Sequence, residues 1–117
     1  AYIGSAFIAT DEAHASAAYK QMVVDSCSDD IVYSNLFTGV HGNYLKGSIR
    51  QAGLDPDALP EGDLKTMNFG GDAPKAWRDI WGSGQGIGAI RQVLPARELI
   101  ARWVAEFAQA RARLSLG

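Results

Sequence analysis

Apolar positions recur in three ways along this chain, and each predicts an element. Residues 1–9 are nearly continuously apolar (Tyr2, Ile3, Phe7, Ile8), interrupted at Gly4-Ser5. A run of this kind predicts a strand buried on both faces, as in a parallel sheet. Ala15, Ala18, Tyr19, Met22 and Val23 then fall at i, i+3, i+4, i+7 and i+8, with Lys20, Gln21 and Asp25 facing away. That spacing predicts an amphipathic helix, capped by Thr10, carrying Asp11 and Glu12 in its first turn and ending near Ser26. A third pattern starts at Pro95: Leu99, Ile100, Trp103, Val104, Phe107 and Leu114 make a broad apolar face. Glu98–Arg102 and Arg102–Glu106 form i, i+4 pairs on its other side.

Between these patterns the periodicity is weaker. Residues 30–39 hold Ile31, Val32, Tyr33, Leu36 and Phe37 without strict alternation, so a short strand and an extended loop both fit. Residues 40–43 read as a turn and residues 44–52 as a short helix ended by Gly53. Residues 54–68 read as an acidic loop and Gly70-Gly71 as a break. Residues 73–81 read as a helix with Pro74 at a tolerated early position. The pattern is one strand followed by helices and long loops, and one strand cannot make a sheet. Residue 1 already lies inside the predicted strand, which predicts that these residues are the back part of a longer protein.

Composition limits the function classes. The chain has 117 residues, 47% hydrophobic and 21% charged, enough for one core. A net charge of −2 predicts neither a nucleic-acid nor a membrane partner. Arg91, Arg97, Arg102, Arg111 and Arg113 interleave with Glu98 and Glu106, which fits a solvated helix face. Cys27 is the only cysteine, so no intrachain disulfide and no cysteine-built zinc site is expected. No secretory leader and no membrane-spanning apolar run is present in the sequence, and a cytoplasmic location is expected.

The candidate chemistry centres on Trp81-Gly82-Ser83-Gly84-Gln85-Gly86-Ile87-Gly88-Ala89-Ile90. Glycines at four alternate positions imply either positive φ angles or close backbone approach. Ile87, Ile90 and Val93 follow at helical spacing, so the run can open a short helix. Ser83 and Gln85 add hydrogen-bonding groups. A cofactor-facing loop and a flexible connector both fit. The segment from Gly84 to Ala89 matches the relaxed dinucleotide fingerprint, but helix, not strand, is predicted before it, and no acid follows a second strand. The absence of a following Lys-Ser or Lys-Thr excludes a P-loop.

Other candidates are weaker. Gly4-Ser5 at the end of a barrel strand can approach a phosphate, and can equally be structural. His14 falls on a predicted surface helix. His41, in a turn, has Tyr33, Tyr44 and Lys46 nearby in sequence; these can line a substrate site or pack. One histidine supports neither a metal cluster nor a triad. Asp55, Asp57, Glu61 and Asp63 lack calcium-loop spacing.

Taken together, the opening segment Tyr-Ile-Gly-Ser-Ala-Phe-Ile-Ala-Thr-Asp-Glu-Ala, the segment Asp-Asp-Ile-Val-Tyr-Ser-Asn-Leu-Phe-Thr-Gly-Val-His-Gly-Asn-Tyr-Leu-Lys and the Trp-Gly-Ser-Gly-Gln-Gly-Ile-Gly-Ala-Ile loop resemble, in order, the C-terminal third of the nitronate monooxygenases (2-nitropropane dioxygenases). The resemblance implies an α/β fold, the C-terminal portion of an FMN-binding TIM (β/α)8 barrel. Residues 1–117 would supply its last strand, the following helix, an extension with the glycine loop, and the terminal helix. It implies an oxidoreductase that oxidises alkyl nitronates with O2. Relatives with similar motifs are NAD(P)H-dependent quinone or enoyl reductases.

The resemblance places Gly4 and Ser5 at the FMN phosphate and Ser83, Gly84, Gln85 and Gly86 near the flavin, and leaves Tyr33, His41, Tyr44 and Lys46 as substrate candidates. It implies no catalytic residue in this chain, the family's histidine and first seven strands lying upstream, so that the chain alone is inactive and its partner is the N-terminal part of the barrel. A different class is a helical interaction module using exposed Trp77, Trp81 and Trp103.

Overall fold

The computed structural model describes residues 3–60 and 76–115, in the order α1 (Ser5–Ile8), α2 (Ala17–Asp25), β1 (Ile31–Ser34), β2 (Gly42–Leu45), α3 (Lys46–Gln51), α4 (Ala76–Asp79) and α5 (Ala96–Leu114). Two 3-10 turns complete them, at Ser28–Asp30 and Gln85–Ala89. The predicted Gly70-Gly71 break, much of the acidic loop and the start of the helix over residues 73–81 lie outside the described residues.

The chain is organised on a hairpin. β1 and β2 pair antiparallel, with Ile31 opposite Leu45 and Val32 opposite Tyr44. Side chains alternate across a strand, so these two pairs face opposite sides. Leu45 and Ile31 join Ala9, Val23 and Ile87 in one core, with Tyr19, Met22 and Trp81 packed around it. Val32 and Tyr44 join Phe37, Ile49 and Ile80 in the other. Val23, Leu45, Ile49 and Ile87 are fully buried. Each such burial stabilises by roughly 1.5–3 kcal/mol. The chain turns between the strands at Gly39, whose φ is +78°, and its N–H donates to the Asn35 carbonyl (2.9 Å).

Several elements appear where the pattern predicts them. α2 ends at Asp25 and α3 at Gln51, with Gly53 past its end at φ +87°. α5 follows Pro95, and its predicted Arg102–Glu106 pair is present at 3.0 Å. Other expectations are corrected. Residues 5–8 form a helical turn, not a strand. A strand forms only where a partner strand takes up its backbone N–H and C=O groups, and among the described residues the one bridge nearby, Thr10 to Leu94, lies past the end of this segment. Among the described residues two strands are present where one was expected elsewhere, and β2 takes residues 42 and 43, read as turn, with residues 44 and 45, read as helix. α2 starts at Ala17, capped by the Ser16 hydroxyl, which accepts from the Tyr19 N–H (3.2 Å). Thr10 instead donates to the Phe7 carbonyl (2.7 Å), and His14 precedes the helix.

Glu12 also acts elsewhere. Its carboxylate accepts from the Ala96 N–H (2.7 Å), so it caps α5 from 84 residues away. With the Asp11 N–H donating to the Leu94 carbonyl (3.0 Å), this fixes the start of α5 beside α1. At the other strand end Asp30 accepts from the Cys27 N–H (2.9 Å), and that bond holds its carboxyl below the ordinary aspartate range.

The apolar face of α5 is the largest departure. Ile100, Val104, Phe107 and Leu114 are 48, 64, 69 and 81% exposed. Among the described residues α5 meets the body through Leu99 and Glu106 at a shared cavity and through Trp103, whose ring meets Phe7 edge-on at 5.3 Å. No described helix is long and apolar enough to cross a membrane.

Ser48 joins the hairpin to the glycine loop. It is fully buried; its hydroxyl donates to the Leu45 carbonyl (2.8 Å) and accepts from the Trp81 N–H (3.0 Å). Ser48→Ala leaves both groups short of a partner, and the expected loss is about 1–3 kcal/mol in urea unfolding. A loss under a few tenths would show that the hydroxyl does not hold this junction.

Candidate functional site

The glycine loop is set in place by backbone. The Leu45 N–H donates to the Trp81 carbonyl (2.7 Å) and the Ser83 N–H to the Asn43 carbonyl (3.3 Å), so residues 81–83 run as a third, short edge along β2. Tyr19 secures the same point from α2: its ring stacks on Trp81 (4.9 Å, 6°) and its hydroxyl donates to the Gly82 carbonyl. Burial raises the Tyr19 hydroxyl above the ordinary tyrosine range, so the phenol stays protonated and able to donate through neutral pH. From this edge the chain enters the 3-10 turn Gln85–Ala89 and buries Ile87 completely; Ile90 and Val93, read with Ile87 at helical spacing, lie beyond the turn.

None of the glycines 82, 84, 86 and 88 has positive φ; among the described residues only Gly39 and Gly53 do. Close approach is the reason at two of the four. A Cβ on Gly82 would lie 3.2 Å from the Asn43 carbonyl oxygen, and one on Gly84 3.1 Å from the Ser5 Oγ. At Gly86 and Gly88 nothing lies within 4 Å.

Gly84 and Ser5 are the centre of the site. The Gly84 N–H donates to the Ser5 Oγ at 2.6 Å, across 79 residues of sequence. The two segments singled out for a cofactor are therefore in contact. Gly4, Ser5, Gly84 and Gly86 line a cavity of about 450 Å³ between α1, the loop and α5. Its apolar wall includes Ile90, Leu94, Leu99 and Trp103, and its ionisable lining residues are Arg91, Arg102 and Glu106.

The other predicted residues lie elsewhere. Ser83 is buried and its hydroxyl turns to the Gly84 carbonyl (3.4 Å); Gln85 is exposed; neither lines the cavity. Tyr33 and His41 do come together, stacked at 4.6 Å, but on the exposed side of the hairpin. Tyr44 packs edge-on against Phe37 (5.1 Å), and Lys46 pairs with Asp57 (3.3 Å). None of these four lines the cavity. Among the described residues no group of three or more His, Cys, Asp or Glu side chains is gathered to hold a metal.

Arg91, Arg102, Glu106 and Trp103 are the site residues that sequence reading misses. The Arg102–Glu106 pair is visible as i, i+4 spacing, but nothing local says that this part of α5 faces Ser5. That depends on the Glu12 cap and the contact of Thr10 with Leu94.

Comparisons with family models, with curated proteins and with solved structures return no match to this chain.

Close contacts separate the loop's glycines. Gly82→Ala is expected to destabilise by about 1–3 kcal/mol, since its Cβ presses on backbone that cannot turn aside. Gly86→Ala is expected to stay within about 0.5 kcal/mol of the parent. Thermal or urea unfolding reads both, and equal effects would contradict the close-approach account.

Proposed function

We propose that this chain is the C-terminal part of an FMN-dependent oxidoreductase of the nitronate monooxygenase kind, and that the cavity at Ser5 and Gly84 is its cofactor-facing wall. The observation that carries the reading is the 2.6 Å bond from the Gly84 N–H to the Ser5 Oγ, which joins the two segments the resemblance assigns to one cofactor. The residues present fit such a group. About 450 Å³ lies within the roughly 300–1,000 Å³ usual for small-molecule sites. The cavity is mostly apolar, as a ring system requires, and has arginines for a phosphate. Gly84 and Gly86 let backbone approach, and the Ser5 hydroxyl retains a proton to donate while it accepts from Gly84.

In this reading Gly4, Ser5, Gly84 and Gly86 hold the cofactor, and Trp103, Leu99 and Ile90 exclude water beside it. When bound, FMN supplies the two-electron oxidation of an alkyl nitronate with O2 as the final acceptor. Neither His14 nor His41 lines the cavity, so this chain contributes binding and shape rather than a histidine base. Reduction of a quinone or an enoyl group by NAD(P)H uses the same wall.

The protein encoded by the complete reading frame containing these residues is expected to purify yellow, to release FMN on denaturation and to consume O2 with an alkyl nitronate. A colourless protein that gains no bound FMN on titration would refute the reading.

A second reading, a helical interaction module, draws support from α5, whose Val104 and Phe107 are more than 60% exposed. Its surface differs from the one expected. Trp81 is stacked on Tyr19 and Trp103 meets Phe7, so both are partly covered, and the Trp77 side chain lies outside the described residues. Under this reading the 117-residue chain self-associates in sizing experiments and Phe107→Glu reverses it; a monomer at all concentrations contradicts it.

A further inference from the structure

Sequence spacing puts the arginines before and within α5 on a solvated face. Two of them do something different. Arg91 and Arg102 both stand on the wall of the cavity that holds Ser5 and Gly84, one from the segment after the glycine loop and one from the second turn of α5. Glu106 stands beside them and accepts from the Arg102 Nε at 3.0 Å. That contact uses one of the five guanidinium N–H groups and leaves the rest of the fork available. The lining therefore carries two positive charges and one negative, with the negative tied to Arg102. Arg91 makes no ion pair among the described residues. Trp103 and Leu99, on the same face of α5 as Arg102, give the lining its apolar part.

A lining with net positive charge and a serine hydroxyl, interleaved with apolar side chains, suits a ligand of mixed character. A neutral ring ligand satisfies the wall and leaves Arg91 without a counter-charge. A free inorganic anion satisfies the arginines and leaves the wall unused. A phosphate monoester on an aromatic or ring-bearing group satisfies both. Bidentate recognition of phosphate is also what the guanidinium fork does best.

We infer that Arg91 and Arg102 are the phosphate-binding residues of this cavity, and that Glu106 holds Arg102 in place and tunes its charge. The inference rests on the reading of the cavity as a ligand site, and it is separable from the choice of FMN. Arg91 supplies the uncompensated charge. Arg102 is a fork whose orientation Glu106 sets. Removing the Glu106 charge frees Arg102 electrostatically, so the two kinds of substitution act in opposite directions. A purely structural role for these surface side chains gives no such opposition.

The test is calorimetric titration of the protein from the complete reading frame with FMN, riboflavin and phenyl phosphate. Arg91→Ala is expected to weaken FMN and phenyl phosphate by about tenfold and to leave riboflavin unchanged, as loss of a charged hydrogen-bond donor predicts. Glu106→Gln is expected to tighten the phosphate-bearing ligands by roughly two- to fivefold, in keeping with an exposed ion pair. Raising the salt concentration should narrow both differences. Phenyl phosphate binding that depends on Arg91, with no FMN binding, would support the inference and overturn the flavin reading. FMN binding that neither substitution shifts relative to riboflavin would overturn the inference and leave the flavin reading standing. Failure of all three ligands to bind overturns both.

Discussion

The backbone pairing of residues 81–83 with the outer edge of β2 is the constraint on which the site depends. A glycine-rich segment has many conformations, and fixing one costs about 1–2 kcal/mol per residue in backbone entropy. The bonds from Leu45 to Trp81 and from Ser83 to Asn43 supply that constraint, and Ser48 and Tyr19 reinforce it from α3 and α2. Leu45 and Ile87 then lock the same edge into one core. The loop beyond Ser83 inherits its position, and the contact of Gly84 with Ser5 follows.

A second long-range tie places the opposite wall. Thr10 and Asp11 meet Leu94, and Glu12 caps α5 at Ala96. A carboxylate at a helix N-terminus is ordinary chemistry; here the helix is the one at the far end of the chain. The consequence is that α1 and the first turns of α5 face each other, with the glycine loop closing the third side. Two regions far apart in sequence, α1 and the stretch from the glycine loop into α5, thus make one cavity with apolar and cationic parts. Among the described residues no such tie reaches the C-terminal part of α5, where Val104, Phe107 and Leu114 are exposed.

Much of the helical structure is legible in the sequence, because helix endings are local. Gly53 stops α3, Pro95 starts α5, and the 3.6-residue spacing of Tyr19, Met22 and Val23 identifies α2. The strands are less legible. Ile31, Val32, Leu45 and Tyr44 face two different cores, so both faces of the hairpin are apolar and the polar alternation that marks a strand is absent. Residues 1–9 mislead for the related reason that a continuous apolar run reads as a buried strand, while the partners that would make it one are not encoded locally. Within Thr10-Asp11-Glu12 only Glu12 caps a helix, and its recipient, α5, is distant. For the site, the glycine and serine positions are visible from residue type, whereas Arg91 and Arg102 become site residues only through the fold.

Amide hydrogen exchange at Leu45, Ser83 and Gly84 tests the central claim most directly. Leu45, Ser83 and Gly84 each donate across the junction between β2, the loop and Ser5, so the account predicts that the three exchange slowly and together, at the rate of the core that holds Ile87. Rapid exchange at Ser83 and Gly84 alongside a protected Leu45 would mean that the loop is not held against β2 and Ser5, and the cavity argued from that contact would have no fixed wall.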